Sequence, residues 1–311
     1  MDASNDIREF LISRRAKITP EQAGLPAHGT RRRVTGLRRE EVAMLAAISV
    51  EYYTRLERGN ASRVSEDILE GVARALQLDE AERAHLFDLF RTANTTRPAR
   101  RRPTQERVRP TVQRILNALT DLPAYVRNGR LDILAANQLG AALYSEVFTD
   151  LARPANMARF IFLNPRATEF FDQWHRIADD AVAILRAEAG RDPYDRRLSD
   201  LIGELSTRSE DFRVRWAMHN VKFHRTGAKV LHHPIVGDLT LTFEAFELPA
   251  DDGQRINVYT AEPGSASQDA LNLLASWTLA PAHASAPGSD QVPRFKEIAN
   301  ATGDIEHPRK S

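Results

Sequence analysis

A chain of 311 residues with 42% hydrophobic and 27% charged residues carries enough apolar surface for two folded domains, and too much for a disordered protein. No apolar run reaches the roughly 18–20 residues that cross a bilayer, the polar start MDASNDIREF lacks the form of a secretory leader, and the absence of cysteine excludes disulfides, thiol nucleophiles and Cys-ligated zinc. These features fit a cytoplasmic protein. The net charge of +1 hides an asymmetry: residues 1–109 hold 21 Lys/Arg against 16 Asp/Glu, whereas residues 110–280 hold 18 against 22.

In chain order, residues 6–18 read as an amphipathic helix with Ile7, Phe10, Leu11 and Ile18 on one stripe. A Pro/Gly-containing loop leads into RRRVTGLRR, residues 31–39, with five arginines and no acid. Such a run neutralises phosphates well, and a solvated basic loop is its plainer reading. Four short helices are expected next, over 38–47, 49–58, 66–77 and 80–92. Ser65 and Asp79 stand as N-caps of the last two, and Asp79 with Glu82 has the form of a capping box. Residues 1–94 thus read as an all-α module, and 95–109, with Pro98, Pro103 and no apolar stripe, as a linker.

From Pro110 the texture changes. Asn128-Gly129 lies between two apolar-rich runs and signals a hairpin. Helical patterns occupy about 138–145, 166–189, 195–207 and 209–220. Three β-rich runs follow at 229–236, 239–248 and 255–262, then a helix over 266–278. This order predicts an α+β domain over 110–280 with one mostly antiparallel sheet, followed by a tail, 281–311, rich in Ala, Pro and Ser at its start.

The stretch MLAAISVEYYTRLERG, residues 44–59, has the parts of a bihelical nucleic-acid reader. Ala43 is a small contact residue, and Val42, Leu45, Ala46 and Ile48 make an inner face. Ser49 caps the second helix, Tyr53 and Leu56 point back to the core, and Gly59 stops it. Ala47 occupies a turn position suited to left-handed glycine, at a cost of roughly 1–2 kcal/mol. The outward residues are then Val50, Glu51, Tyr52, Thr54 and Arg55. Arg55 suits guanine, Glu51 cytosine and Val50 a thymine methyl. Arg38 and Arg39 begin the preceding helix, where free N–H groups attract phosphate. Together with Arg31, Arg32, Arg33 and Arg58 they are the expected phosphate anchors. The same bihelical core also suits a protein-interaction adaptor without base readout, and salt-dependent binding to duplex DNA separates the two.

The segment GLRREEVAMLAAISVEYYTRLERG, with the helices after it, resembles the N-terminal helix-turn-helix of XRE-type bacterial regulators that carry an MmyB-like C-terminal domain. The likeness continues in LPAYVRNGRLDILAAN, in DPYDRRLSDLIGELSTRSEDFRVRWAMHNV, in HHPIVGDLTLTFE and in VYTAEPGSASQDALNLLASW, so that it spans roughly residues 5–280. The resemblance implies a five-helix DNA-binding domain joined to a PAS-like sensor similar to fatty-acid-type ligand binders. Two positions depart from the family pattern: Ala47 stands in place of the usual turn Gly, and Ala136 in place of a Trp before the Asn of the second strand.

In the second domain a cavity between sheet and helices would draw on Tyr125, Leu134, Phe160, Phe162 and Phe243, most of them equally suited to plain core. Asn137, Trp174, Trp216, His219 and His233 are the expected ligand-binding residues. His219, His224, His232, His233 and Glu244 invite a metal-enzyme reading, but no zinc spacing supports it. No G-x-S-x-G, P-loop or G-x-G-x-x-G is present either. The sequence therefore points to a DNA-binding regulator, with no catalytic residues, metal or cofactor. Its expected partners are a double-stranded operator, a small apolar ligand and a second copy of the chain.

Overall fold

The computed structural model describes residues 3–25, 34, 36–60, 64–94, 107–149, 154–218 and 226–279. In chain order, α1 (Ala3–Lys17), α2 (Arg39–Leu45), α3 (Val50–Glu57), α4 (Glu66–Ala75) and α5 (Glu80–Asn94) come first. Then come α6 (Pro110–Ala118), β1 (Ala124–Arg127), β2 (Ile133–Ala136), α7 (Gln138–Leu143), α8 (Met157–Leu163), α9 (Ala167–Phe170) and α10 (Trp174–Arg191). The last elements are α11 (Arg196–Arg208), α12 (Glu210–Ala217), β3 (Thr226–His233), β4 (Gly237–Glu247), β5 (Arg255–Thr260) and α13 (Ala266–Leu279). Among the described residues no helix is long and apolar enough to cross a membrane.

Two compact units divide these elements. One holds α1–α5 together with residues 182–218, and the other holds residues 107–181 and 226–279. The sequence places all of 110–280 in one domain; in the structure α11, α12 and the second half of α10 cluster with the N-terminal helices. The expected linker, apart from residues 107–109, and the tail lie outside the described residues.

In the first unit the apolar stripe of α1 (Ile7, Phe10 and Leu11) packs with Val42, Ala43, Tyr53, Leu56, Val72, Leu86 and Phe90, each at most 1% exposed. Burial of this order contributes about 1.5–3 kcal/mol per large side chain, which sets the helices in place despite their shortness. The expected capping box forms: Glu82 N–H donates to Asp79 and Asp79 N–H to Glu82. Ser65 sits at its N-cap position without a side-chain bond. Gly59, at φ +71°, lies where a Cβ would overlap the Ser4 backbone, so it both ends α3 and admits α1.

The second unit is a five-stranded antiparallel sheet in the order β2-β1-β5-β4-β3, a PAS-like α+β arrangement with its helices inserted between β2 and β3. Strict alternation along β4 buries Leu239, Leu241, Phe243 and Ala245 and exposes the residues between them. Tyr125, Tyr259 and Phe243 share that inner face by register. On the opposite face α6 covers Ala124, Val126 and Ile256 with Val112 and Leu116.

Three expectations change. The hairpin after β1 does not turn on Asn128-Gly129 alone. It is a five-residue connection, organised by the Asn128 carboxamide oxygen, which accepts from Arg130 and Asp132 N–H, and Leu131 takes the positive φ of 65°. The single helix expected over 166–189 breaks into α9 and α10, because Phe171 pairs with Leu231 and Asp172 N–H bonds Val230. The helices α6 and α8 are also present, where no helix is expected from the sequence.

Candidate functional site

The helix-turn-helix is built as the sequence demands. Ala47 adopts φ +55°, the left-handed turn, and its neighbours Ala46 and Ile48 close onto the core. The Ser49 hydroxyl accepts from Tyr52 N–H at 3.1 Å, capping α3. With Tyr53 and Leu56 buried, the helix turns Val50, Glu51 and Arg55 to solvent and leaves Tyr52 and Thr54 half-buried. Arg55 lies over the Tyr52 ring at 5.3 Å, which stiffens a long side chain in an outward pose. Thr54 spends its hydroxyl on the Val50 carbonyl at 2.7 Å and so offers mainly its methyl group.

The expected phosphate anchors differ among themselves. Arg31, Arg32 and Arg33 lie outside the described residues. Arg38 is the N-cap of α2; its N–H donates to Glu41 at 2.6 Å, and its side chain, 41% exposed, lies 3.5 Å from Glu40. The N-terminal dipole of α2 is thus already served by an acid. Arg39 bonds the buried Glu57, which is shared with Arg15 at 2.9 Å. One carboxylate against two guanidiniums leaves a positive surplus at the base of α3. Arg58, the C-cap of α3, is exposed.

On the inner face of the sheet, Tyr125, Tyr144 and Tyr259 meet ring to ring at 5.6–6.0 Å. The Tyr125 and Tyr259 hydroxyls stand 3.3 Å apart, and the Lys229 amine donates to Tyr259 at 3.3 Å. That amine also lies 4.7 Å from the Phe243 ring and 5.5 Å from that of Tyr259. Burial pushes it down to about 8, with Arg127 and Arg176 adding to the shift and Asp180 opposing it. Burial likewise raises all three phenols, Tyr144 and Tyr259 well above their ordinary range. A basic amine and three neutral hydroxyl donors therefore share one dehydrated spot.

The helix-turn-helix in one unit and the PAS-like sheet in the other are matched by two known families. A helix-turn-helix domain matches residues 29–86, and the MmyB-like transcription regulator ligand binding domain matches residues 108–274. The chain belongs to the MmyB-like transcription regulators. Comparison with curated proteins finds no match. The regulator combines DNA binding with a domain for a small-molecule ligand.

Within this MmyB-like regulator the expected ligand residues take separate places. The Asn137 carboxamide accepts from Ala124 and Gly140 N–H and donates to the Leu119 and Leu122 carbonyls, so its whole capacity holds α6, β1 and α7 together. His233 uses both ring nitrogens: Nε2 donates to the Ala142 carbonyl, and Nδ1 accepts from Ile235 and Val236 N–H, shaping the turn into β4. Its ring touches Phe170, which in turn touches Tyr144. Trp174 donates to the Ile161 carbonyl at 3.0 Å. Trp216 belongs to the first unit, stacked on Phe212 and under the Arg186 guanidinium at 4.0 Å. Its carbonyl accepts from Arg186, whose pKa burial pushes down to about 10. His219 and His224 lie outside the described residues. His232 pairs with Asp238 at 2.7 Å on the surface, and among the described residues no group of three metal-ligating side chains occurs.

The sequence reading did not single out Lys229, Tyr144 and Tyr259, which the fold brings together with Tyr125. One signal was present: only five of the 43 Lys/Arg residues are lysine, and Lys229 alternates with apolar residues inside a strand.

Proposed function

We propose that this regulator is sequence-specific and that α3 reads the major groove of an operator, with Arg55, Glu51, Val50, Tyr52 and Thr54 against base edges. Arg38, Arg39 and Arg58, with the arginines of 31–33, hold the phosphates on either side. The observation that carries this reading is the Ser49-capped, core-locked α3, whose first turn and Arg55 face solvent while Tyr53 and Leu56 fix its rotation. The protein acts as a homodimer on half-sites about one helical turn apart or a multiple of it. A small apolar or fatty-acid-like molecule in the PAS-like unit binds one dimer arrangement better than another and shifts the population.

Footprinting and salt titration test the reading. Arg39→Ala weakens binding on every duplex and flattens the salt slope by about one unit, whereas Arg55→Ala relaxes preference at one base pair. Equal behaviour of the two variants refutes the division between reader and anchor. No salt-dependent duplex binding by the native chain leaves an adaptor in place of a regulator. Monomers at operator-saturating concentration refute the dimer.

A further inference from the structure

The last helix, α13, packs on α7 and β4 through Leu271 and Leu274, each 1% exposed. Its Ser267 hydroxyl accepts from Thr240 N–H at 2.9 Å. The same helix places Ala266, Ala270, Leu273 and Trp277 on a second face, at steps of four, three and four residues. That face is open. Leu273 is 56% and Trp277 61% exposed, Ala266 is exposed and Ala270 half-buried. A leucine and an indole one turn apart in water forgo burial that a partner surface can supply.

Charge and shape together say what fits this stripe. Asp269 is the only charged residue in Ala266–Leu279, so two copies of the face can meet with no lysine or arginine to dehydrate. The stripe also runs from small to large, with two alanines in its first half and leucine and tryptophan in its second. An isologous two-fold brings residue i of one chain to residue j of the other, and j to i. In an antiparallel pairing centred between Leu271 and Asn272, Ala266 faces the partner's Trp277 and Ala270 faces the partner's Leu273. Each small side chain then receives a large one. The two copies of Asp269 stand five residue rises apart along the axis, about 7 Å, and do not oppose each other.

We propose that the face formed by Ala266, Ala270, Leu273 and Trp277 is the dimerisation surface, paired antiparallel with the same face of a second copy. This rests on the reading that the regulator acts as a homodimer, and it gives that dimer its contact. A helix of 14 residues is about 21 Å long. A seam between two such helices falls below the roughly 1,200 Å² of standard interfaces, in the class of reversible complexes. The dimer therefore dissociates in the micromolar range.

Sedimentation of the full chain from about 1 to about 200 µM tests the surface. The native chain is expected to dimerise across this range. Leu273→Glu weakens dimerisation at least about tenfold, because it sets two unpaired carboxylates in the seam. Ala270→Lys weakens it as well. An equal mixture of these two variants dimerises better than either alone, since the introduced ammonium then faces the introduced carboxylate. The melting temperature of Leu273→Glu should match the native value, because position 273 is open to solvent; if it falls, Trp277→Gln carries the same test from a more exposed position. A dimer that both variants leave intact overturns the surface while the homodimer reading stands. A mixture no better than its components overturns the antiparallel register. A native chain that stays monomeric throughout overturns the surface and the homodimer reading together. Iodide quenching, read as the difference between native protein and Trp277→Gln, identifies the other occupant. Shielding of Trp277 in a monomer, relieved by Phe295→Ser with Ile298→Ser, assigns the face to residues 281–311 of the same chain and overturns the proposal.

Discussion

The proposed reading helix and the interior of the ligand-binding domain solve opposite problems. In α3 the residues proposed to meet bases lie between Val50 and Arg55; Val50, Glu51 and Arg55 face water and can be changed with little effect on the core, while Tyr52 and Thr54 are half-buried. In the sensor, Tyr125, Tyr144, Lys229 and Tyr259 come from β1, the end of α7, β3 and β5, and meet where water is excluded. The difference teaches where selectivity is stored. A helix face gains it from the partner's groove and loses it one contact at a time. A buried cluster holds it in contacts that are also part of the core, so every change there also alters stability.

Substitutions that break this contrast should fall in a definite order. Glu57→Ala leaves Arg15 and Arg39 without their shared counter-charge and should destabilise the first unit by about 3–5 kcal/mol, read by denaturant unfolding. A loss confined to DNA affinity would show that the network is not part of the core. Arg55→Ala should cost about 1–3 kcal/mol of operator binding with the melting temperature unchanged, the opposite signature. Ser49→Ala removes the cap bond to Tyr52 and should cost about 1 kcal/mol in stability; unchanged unfolding would mean the α3 terminus is held by packing alone. Ala47→Gly relieves a left-handed alanine and should stabilise by up to about 1 kcal/mol.

The pH response sharpens the same comparison. The folded Lys229 amine titrates near 8 and the unfolded one near 10.5, so the unfolded chain binds the extra proton in that window and stability rises with pH across it. The cost of the buried charge is present in full below about pH 8 and relieved above 10.5. The rise should be absent from the stability profile of Lys229→Met, and an identical slope in both proteins would mean that the amine is hydrated.

The reading motif was legible because its determinants are local. Ser49, the apolar spacing of Tyr53 and Leu56, and Gly59 each act within one or two turns of chain, and Ala47 marked the turn despite its strain. The strands of the second unit were legible from alternation, but their pairing order and the contacts of Asn137 and His233 were not. Those two residues looked like ligand groups because they are polar beside apolar runs. In the fold they spend that polarity on carbonyls and N–H groups of neighbouring elements, a demand any buried backbone makes. Trp216 could not be placed from sequence either: an indole can pack wherever a helix leads it, and here that is against Arg186 in the first unit.

By itself the sequence determined the five N-terminal helices, the capped recognition helix, the antiparallel strands and the family. The elements are set by periodicity, caps and turn chemistry acting over a few residues, and the family by the resemblance of whole segments along the chain. Only the tertiary structure decided that Glu57 is shared by two arginines, that residues 182–218 cluster with the N-terminal helices, and that Lys229 meets Tyr259 beside Tyr125 and Tyr144. Charge balance and dehydration are properties of neighbours in space, and residues 125, 144, 229 and 259 become neighbours only when the sheet closes.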